Sequence, residues 1–368
     1  MKETNNPYLS IVIYSRNDNY EGNAFERLQM TIDNLVLQSK KYNLSAELII
    51  VDWNPPEDKP LLKDALLIPK DLGPMTIRFI VVPNEIHEGY RAHSKMNIIP
   101  VAALNVGIYR ARGQFIWATN ADLLFSNELI EFLASKKMDK ENFYRVFRYS
   151  VDENVLSKKT LDERIDFCKN NIVEVFQKNT TSIHGLKEHP ILQTSCGGDF
   201  IVFSKEYWEK INGYPELNNL GAFTDWLLCY MLYLAGLKEK MLPDTMRVYH
   251  MDHKKHKQQR EQFKKSATNY VRYEIYHKLG QKSILKKILK FANNLKNRLQ
   301  GILMGGFYIF IVPISKKFGP QGNWDLNTGY SYWGFHRTLI KMLKNKRSYA
   351  FNNRGWGLPK ENFKEFIV

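Results

Sequence analysis

The chain reads as an α/β domain with a doubly wound, mostly parallel sheet, followed by a basic helical extension. Three observations carry this reading. Short branched apolar runs alternate with segments of helical period through residues 1–250, several of those runs stop abruptly in polar side chains, and nearly all the excess positive charge lies beyond residue 250. A repeated β-α-β order builds a sheet with helices on both faces, and such sheets hold ligands just past the carboxyl ends of their parallel strands.

The elements follow in order. Leu9-Ser-Ile-Val-Ile-Tyr14, Glu47-Leu-Ile-Ile-Val51, Ile77-Arg-Phe-Ile-Val-Val82 and Phe115-Ile-Trp117 are short, branched and bounded by polar residues, which predicts buried strands. Between the first two, Leu28, Ile32, Leu35 and Val36 recur at helical spacing within Phe25 to Tyr42. A second helix is predicted over Pro100 to Ala111, starting on a proline pre-set for the first turn and ending before Gly113. Residues 151–196, with His184, His189 and Pro190, show no convincing period and read as a loop that closes over a ligand.

With 368 residues and 44% apolar side chains the chain can bury a full core, so disorder is excluded as the default. Cys168, Cys196 and Cys229 are odd in number and widely spaced, which points away from a disulfide framework or a zinc site and toward a reducing compartment. The segment Met1 to Tyr8 has no apolar stretch of signal-peptide length, and the expectation is a cytoplasmic protein. Residues 251–350 hold 21 lysines and arginines against 4 acidic residues, whereas residues 1–150 hold 18 of each. That pattern suggests a near-neutral body on residues 1–250 and a basic module on 251–368 that attracts a polyanionic surface.

Three strand ends converge on one crevice: Ser15-Arg-Asn-Asp18, Asp52-Trp-Asn-Pro-Pro56 and Asn120-Ala-Asp122. Asp122 is placed to hold a metal and a phosphorylated ligand, and Asp52 to accept hydrogen bonds from a base or ribose. A turn or a helix cap is the plain alternative for such a residue. Neither GxGxxG after the first strand nor GxxxxGK[ST] occurs, which argues against a dinucleotide dehydrogenase and a P-loop NTPase.

Ser10-Ile-Val-Ile-Tyr-Ser-Arg-Asn17, Leu48-Ile-Ile-Val-Asp-Trp-Asn54, the run Ala103 to Asp122, Gly197-Gly-Asp through Asn212-Gly-Tyr214, and Phe223-Thr-Asp-Trp through Gly236 together resemble the family 2 nucleotide-sugar glycosyltransferases of GT-A fold. The match covers about residues 8–250 in the family's order. It implies that Asp52 binds the nucleoside, with Ser15, Arg16, Asn105 and Asn120 also in the donor-nucleotide site. Asp122 is implied to bind a divalent cation, Mn2+ or Mg2+, bridging the donor diphosphate, and Asp225 falls where the family has its general base. Gly198, Asp199 and Trp226 are implied to face the acceptor or the donor sugar, Asp199 reading otherwise as a turn residue. Asp225 reads otherwise as a cap before the apolar face of Leu228, Leu232 and Ala235. His250 and His253 follow the strand-like Arg247-Val-Tyr249, where some relatives supply a histidine to the metal or diphosphate. The chain departs from the family at Asn120, which replaces the first acidic residue of the metal motif, and at Thr224-Asp225, a reduced acidic pair. Less negative charge means weaker cation binding.

The expected partners are therefore a nucleotide-sugar donor and a glycan or lipid-linked acceptor, with inversion at the transferred carbon implied by the resemblance. Beyond residue 250, Ser283 to Leu299 places Ile284, Leu285, Ile288, Leu289, Ala292 and Leu295 on one face with lysines opposite, a pattern suited to an anionic membrane surface. Gly301 to Ser315 is uncharged but short of the roughly 20 residues needed to span a bilayer, so it reads as an interfacial insertion or as a helix packed on the body. The aromatic and Gly-rich stretches from Gly319 to His336 and from Asn352 to Leu358 suit an acceptor or a loop anchor. No nucleic-acid-binding module accompanies the charge. The location expected is the inner face of the membrane, and the alternative function is a non-catalytic protein of the same fold that binds nucleotide sugars or polyanions.

Overall fold

A computed structural model describes residues 6–18, 22–90, 96–176, 190, 192–193, 198–216, 224–253 and 332–368, with backbone only at 332–337. Strands β1 (Leu9–Ser15), β2 (Ala46–Trp53), β3 (Met75–Val82) and β4 (Phe115–Ala118) run parallel in the order β3-β2-β1-β4. All eight residues of β2 are buried, as a strand covered on both faces requires. Helix α1 (Ala24–Tyr42) joins β1 to β2, and the short α2 (Leu62–Ala65) and α3 (Asn84–Glu88) flank β3. Helix α4 (Pro100–Arg110), with proline in its first turn, leads into β4 and packs on β1, β2 and β4. These elements match the sequence expectation closely.

Beyond β4 come β5 (Leu123–Phe125), α5 (Asn127–Ala134), β6 (Asn142–Arg145) and β7 (Arg148–Val151). A single 3-10 turn, Glu153–Ser157, precedes α6 (Leu161–Asn170) and β8 (Ile172–Phe176). Then follow β9 (Ile201–Ser204), α7 (Lys205–Lys210), α8 (Thr224–Leu234), β10 (Lys238–Met241), β11 (Val248–Met251), α9 (Tyr332–Leu343) and β12 (Lys364–Ile367). The main sheet has eight strands in the order β10-β6-β9-β4-β1-β2-β3-β12, with β9 and β12 antiparallel to their neighbours. A second sheet, β5-β11-β7-β8, was not foreseen beyond the strand-like 247–249, because its strands are only three to five residues long. α1 packs on α5 and β5. Trp117 joins the layers, its ring 4.7 Å from Phe125 and 5.0 Å from Phe200.

Two stretches differ from the sequence reading. Within 151–196, residues 161–176 form a helix and a strand. Thr160 Oγ1 accepts from Glu163 N while Glu163 Oε2 accepts from Thr160 N, a reciprocal cap that starts α6 despite its weak apolar face. The C-terminal residues were read as part of a separate extension, yet 332–368 belong to the same compact unit as the body. β12 pairs with β3, α9 packs on α8, and Arg110 donates to the carbonyls of Gly357, Leu358 and Glu361. The other compact unit comprises 183–189 and 253–327, of which only His253 is described, so the basic amphipathic segment and the apolar run 301–315 lie outside the described residues. Among the described residues no helix is long and apolar enough to cross a membrane.

The heart of the sheet contains one buried charge cluster. Glu47 on β2 accepts from Ser10 Oγ at 2.6 Å, Arg78 Nη1 at 2.7 Å and Arg112 N at 2.6 Å. Arg78 also reaches Glu365 on β12 at 2.9 Å. A carboxylate so deep in a sheet is tolerable only when its lone pairs are met this fully. On the same face α4 lies close to the strands: a Cβ on Gly107 would sit 2.4 Å from Val12 Cγ1 and 3.1 Å from Val51 Cγ2. Gly107→Ala is expected to destabilise the protein by about 1–3 kcal/mol through overpacking, despite the better helix propensity of alanine, as read by urea unfolding.

Candidate functional site

The strand order reverses at β1, which has β2 on one side and β4 on the other. Chains leaving β1 and β4 therefore diverge, and the crevice they leave collects polar side chains. Ser15 ends β1 opposite Asp52 in β2, and is partly buried. Asp52 is buried, with Oδ2 accepting from Leu62 N at 2.8 Å at the start of α2, and with no hydrogen-bond partner on Oδ1 among the described residues. Burial pushes its carboxyl up to about 6, against the opposing pull of the Leu62 N–H and Arg16. Arg16 donates to the carbonyl of Asn54 and to Asp18 Oδ2 at 2.6 Å, and Asn54 turns the chain with a positive φ of 51° while its amide donates to Asn97 O.

Past β4, Asn120 Nδ2 donates to Asp199 Oδ1 at 2.8 Å, and the backbone carbonyl of Asp199 accepts from Thr119 Oγ1 at 2.6 Å. Asp199 Oδ2 faces Arg148 Nη1 at 3.3 Å, and Arg148 Nη2 lies 3.4 Å from His250 Nδ1. The other ring nitrogen of His250 is 3.3 Å from Asp122 Oδ2, which Arg27 Nε approaches at 3.9 Å. A continuous chain of polar contacts thus runs from Asn120 through Asp199, Arg148, His250 and Asp122 to Arg27. A guanidinium can only donate, so His250 Nδ1 accepts and the ring proton sits on Nε2, toward Asp122. The second sheet sets this geometry: His250 on β11 is in register with Leu123 on β5 and Ser150 on β7, and Met251 N donates to the carbonyl of Asp122.

Asp225 stands in the first turn of α8 and bonds across the fold. Its Oδ2 accepts from Gly198 N at 2.8 Å and its Oδ1 from the Tyr214 hydroxyl at 2.6 Å. Burial raises its carboxyl above the usual range, the Tyr214, Gly198 and Arg145 contributions lower it, and Asp199 raises it further. Gly198 allows the approach, since a Cβ there would lie 3.2 Å from Asp225 Oδ2. Trp226 follows, partly buried.

A divalent cation fits part of this arrangement. Asp122, His250 and His253 each offer a ligand atom, all within 4.8 Å of one another, and Asp122 keeps some exposure. One carboxylate with two imidazoles suits Mn2+ better than Mg2+, which prefers oxygen donors. With Nε2 of His250 as ligand the ring proton moves to Nδ1 and the Arg148 bond is given up, so cation binding competes with that bond.

Most residues expected from the sequence gather here. Asp122 and His250 touch, Asn120 and Asp199 touch, and Asp225 lies on Gly198. Asn105 does not join them. It is fully buried on α4, with Nδ2 donating to Tyr214 O and Glu216 Oε1 and Oδ1 accepting from Tyr214 N, so its amide holds a turn and has nothing left for a nucleotide. Arg27, Arg148 and Tyr214 were missed. Only their place in the fold brings them in, although arginines near an acidic strand end were a usable signal.

The Asp52 carboxyl gives a pH signature. Its folded-state value lies above the unfolded one, so the fold binds the extra proton between about pH 4 and 6, and the stability tied to this group falls as pH rises through that window. Asp52→Asn, which keeps an acceptor for Leu62 N, is expected to be more stable than the native chain at pH 7.5 by on the order of 1–3 kcal/mol. The gain should shrink toward pH 4.5, as measured by urea unfolding at both values.

No protein-family model matches the chain, and no curated protein resembles it in sequence. Solved structures similar to it include the mannosyltransferase PcManGT from Pyrobaculum calidifontis in complex with GDP-Man and Mn2+, at 14% identity and a TM-score of 0.40, covering 67% of this chain and 57% of that one. GalNAc-T7 with UDP, GalNAc and Mn2+ is similar at 13% identity and a TM-score of 0.44, covering 68% of this chain and 44% of that one. TarS from S. aureus in complex with UDP-GlcNAc is similar at 12% identity and a TM-score of 0.44, covering 67% and 59%. The chain spans roughly half the length of these structures, and likenesses this weak carry no argument beyond the chain's own residues.

Proposed function

We propose that the protein is a nucleotide-sugar glycosyltransferase of GT-A type and family 2 character. It would transfer a sugar, with inversion, from a nucleoside-diphosphate donor to a hydroxyl of a glycan or lipid-linked acceptor. The observation that carries the reading is the division of the crevice's carboxylates between two environments. Asp122 sits among Arg27, His250 and Arg148, a setting for negative charge on a ligand, whereas Asp225 is partly buried against Tyr214 and Gly198, in a setting that raises its affinity for a proton. Group transfer from a diphosphate needs both conditions, and one carboxylate cannot easily meet both.

In this reading Asp52 accepts from the base or ribose through its unpartnered Oδ1, beside Ser15 and Arg16. Arg27 and Arg148 face the diphosphate. A cation held by Asp122, His250 and His253 would add neutralisation of the departing diphosphate. The acceptor oxygen attacks the anomeric carbon, the bond from that carbon to the diphosphate oxygen breaks with its electron pair on the diphosphate, and the hydroxyl proton passes to Asp225. Asp199 and Trp226 lie beside this path, at the sugar or acceptor. The basic segment between 251 and 350, with 21 positive residues against 4 negative, supports a membrane-surface acceptor in the synthesis of a surface polysaccharide or glycoconjugate.

The test is a thermal-shift screen of nucleoside diphosphates and nucleotide sugars with and without Mn2+. One nucleotide is expected to raise Tm in a Mn2+-dependent way, and Asp122→Ala to abolish the Mn2+ dependence. Asp225→Asn should retain the shift while lowering turnover about 10²–10⁴-fold. Absence of a shift with every nucleotide overturns the donor-site reading, and an equal turnover in Asp225→Asn overturns the role of that carboxylate.

A further inference from the structure

The turn that carries Tyr214 is held from two sides, by α4 and by the C-terminal residues. Asn212 and Gly213 adopt φ of 59° and 74°, two left-handed residues in succession, and a turn of that kind persists only where its surroundings fix it. Asn105 from α4 holds one side through Tyr214 N and O. The other side is held by Asn352, which lies 138 positions further along the chain than Tyr214. Asn352 Nδ2 donates to Asn212 O at 2.8 Å and to Tyr214 O at 2.6 Å, its Oδ1 accepts from Glu216 N at 2.9 Å, and its carbonyl accepts from Asn212 Nδ2 at 2.9 Å. Trp356 closes over the turn so tightly that a Cβ on Gly213 would lie 2.3 Å from its ring. That ring meets Tyr109 edge-on at 5.3 Å, and Arg110 then holds the carbonyls that follow.

We infer that Asn352 is a positioning residue for the crevice: by fixing the backbone of Tyr214 it sets the phenol that donates to Asp225, and so governs the proton affinity of that carboxylate. The chain of contact is short. Asn352 touches the Tyr214 carbonyl, Tyr214 touches Asp225, and a hydrogen bond from a neutral donor favours the ionised carboxylate. The other groups facing Asp225 come from elsewhere: the Gly198 N–H and Asp199 before β9, Arg145 from β6, and Cys229 one turn along α8. None of these is touched by Asn352. The catalytic meaning of Asp225 rests on the glycosyltransferase reading, whereas its link to Asn352 does not.

The experiment therefore avoids turnover. The carboxyl carbons of aspartate are labelled with 13C in the full chain, the Asp225 resonance is assigned by its loss in Asp225→Asn, and its titration is followed by NMR. Tyr214→Phe is expected to shift the Asp225 titration to higher pH, Asn352→Ala to shift it the same way, and the double variant to move no further than Tyr214→Phe alone. Asn352→Ser serves as the milder change where the alanine variant does not fold. An unmoved Asp225 titration in a folded Asn352 variant, or additive shifts in the double variant, overturns the proposal. Loss of the donor site in the nucleotide screen would leave this titration unaffected, so the two ideas fail separately.

Discussion

The parallel pairing of β1 with both β2 and β4 is the constraint on which the rest depends. Because β1 is filled on both edges, the chain must cross to opposite faces of the sheet, with α1 on one and α4 on the other. Neither connection can bridge the gap between the ends of β1 and β4, and that gap is where Asp52, Asn120 and Asp122 emerge. The packing needed to hold β1 there is strict. Gly107 brings α4 onto β1 and β2, and Glu47 is tolerated in the middle of the sheet only because Ser10, Arg78 and Arg112 surround it.

Within the gap, charge is balanced mainly by protein groups. Arg27 and Arg148 flank Asp122 and His250, and Arg148 shares itself with Asp199. Asn120 brings an amide and no charge to this cluster, and ties down Asp199. These features agree: a site with two arginines at hand requires less from a cation than one built of carboxylates alone. Asp225 belongs to a different regime, governed mainly by burial, a phenol and a backbone N–H, with Asp199 as the member of that cluster that acts on it.

Legibility in the sequence followed the strength of the local signal. The strands around β1, β2, β3 and β4 and the helices α1 and α4 were readable because branched runs and a 3.6-residue period are written over many residues. Asp52, Asp122 and Asp225 stood out in the sequence because they lie near element ends, where polar residues interrupt apolar ones, and His250 because it follows a strand-like run; their roles are proposals. The four-stranded second sheet escaped notice since strands of three to five residues hardly constitute a pattern, and α6 was announced only by Thr160 and Glu163. Arg148 reached the site through that sheet, so it was hidden with it. Asn105 was misread for an instructive reason: its place in the chain fits a ligand contact, but burial on α4 assigns its amide to the turn at Tyr214. Residues 332–368 were grouped with the basic extension because charge composition says nothing of where a segment packs.

The union of β12 with β3 has a consequence for the order of assembly. Arg78 and Glu365 are 287 positions apart, yet the buried guanidinium of the first pairs with the partly exposed carboxylate of the second at the outer edge of the main sheet. Closing so long a loop costs little more than closing one half its length, since the entropy grows only with the logarithm of the span. The kinetic side is different. As the polypeptide emerges from the ribosome, β3 can join β2 long before β12 exists, and during that interval its free edge of N–H and C=O groups is open to any other strand. Nascent chains of this protein are therefore vulnerable to intermolecular strand pairing throughout the interval between the synthesis of β3 and that of β12.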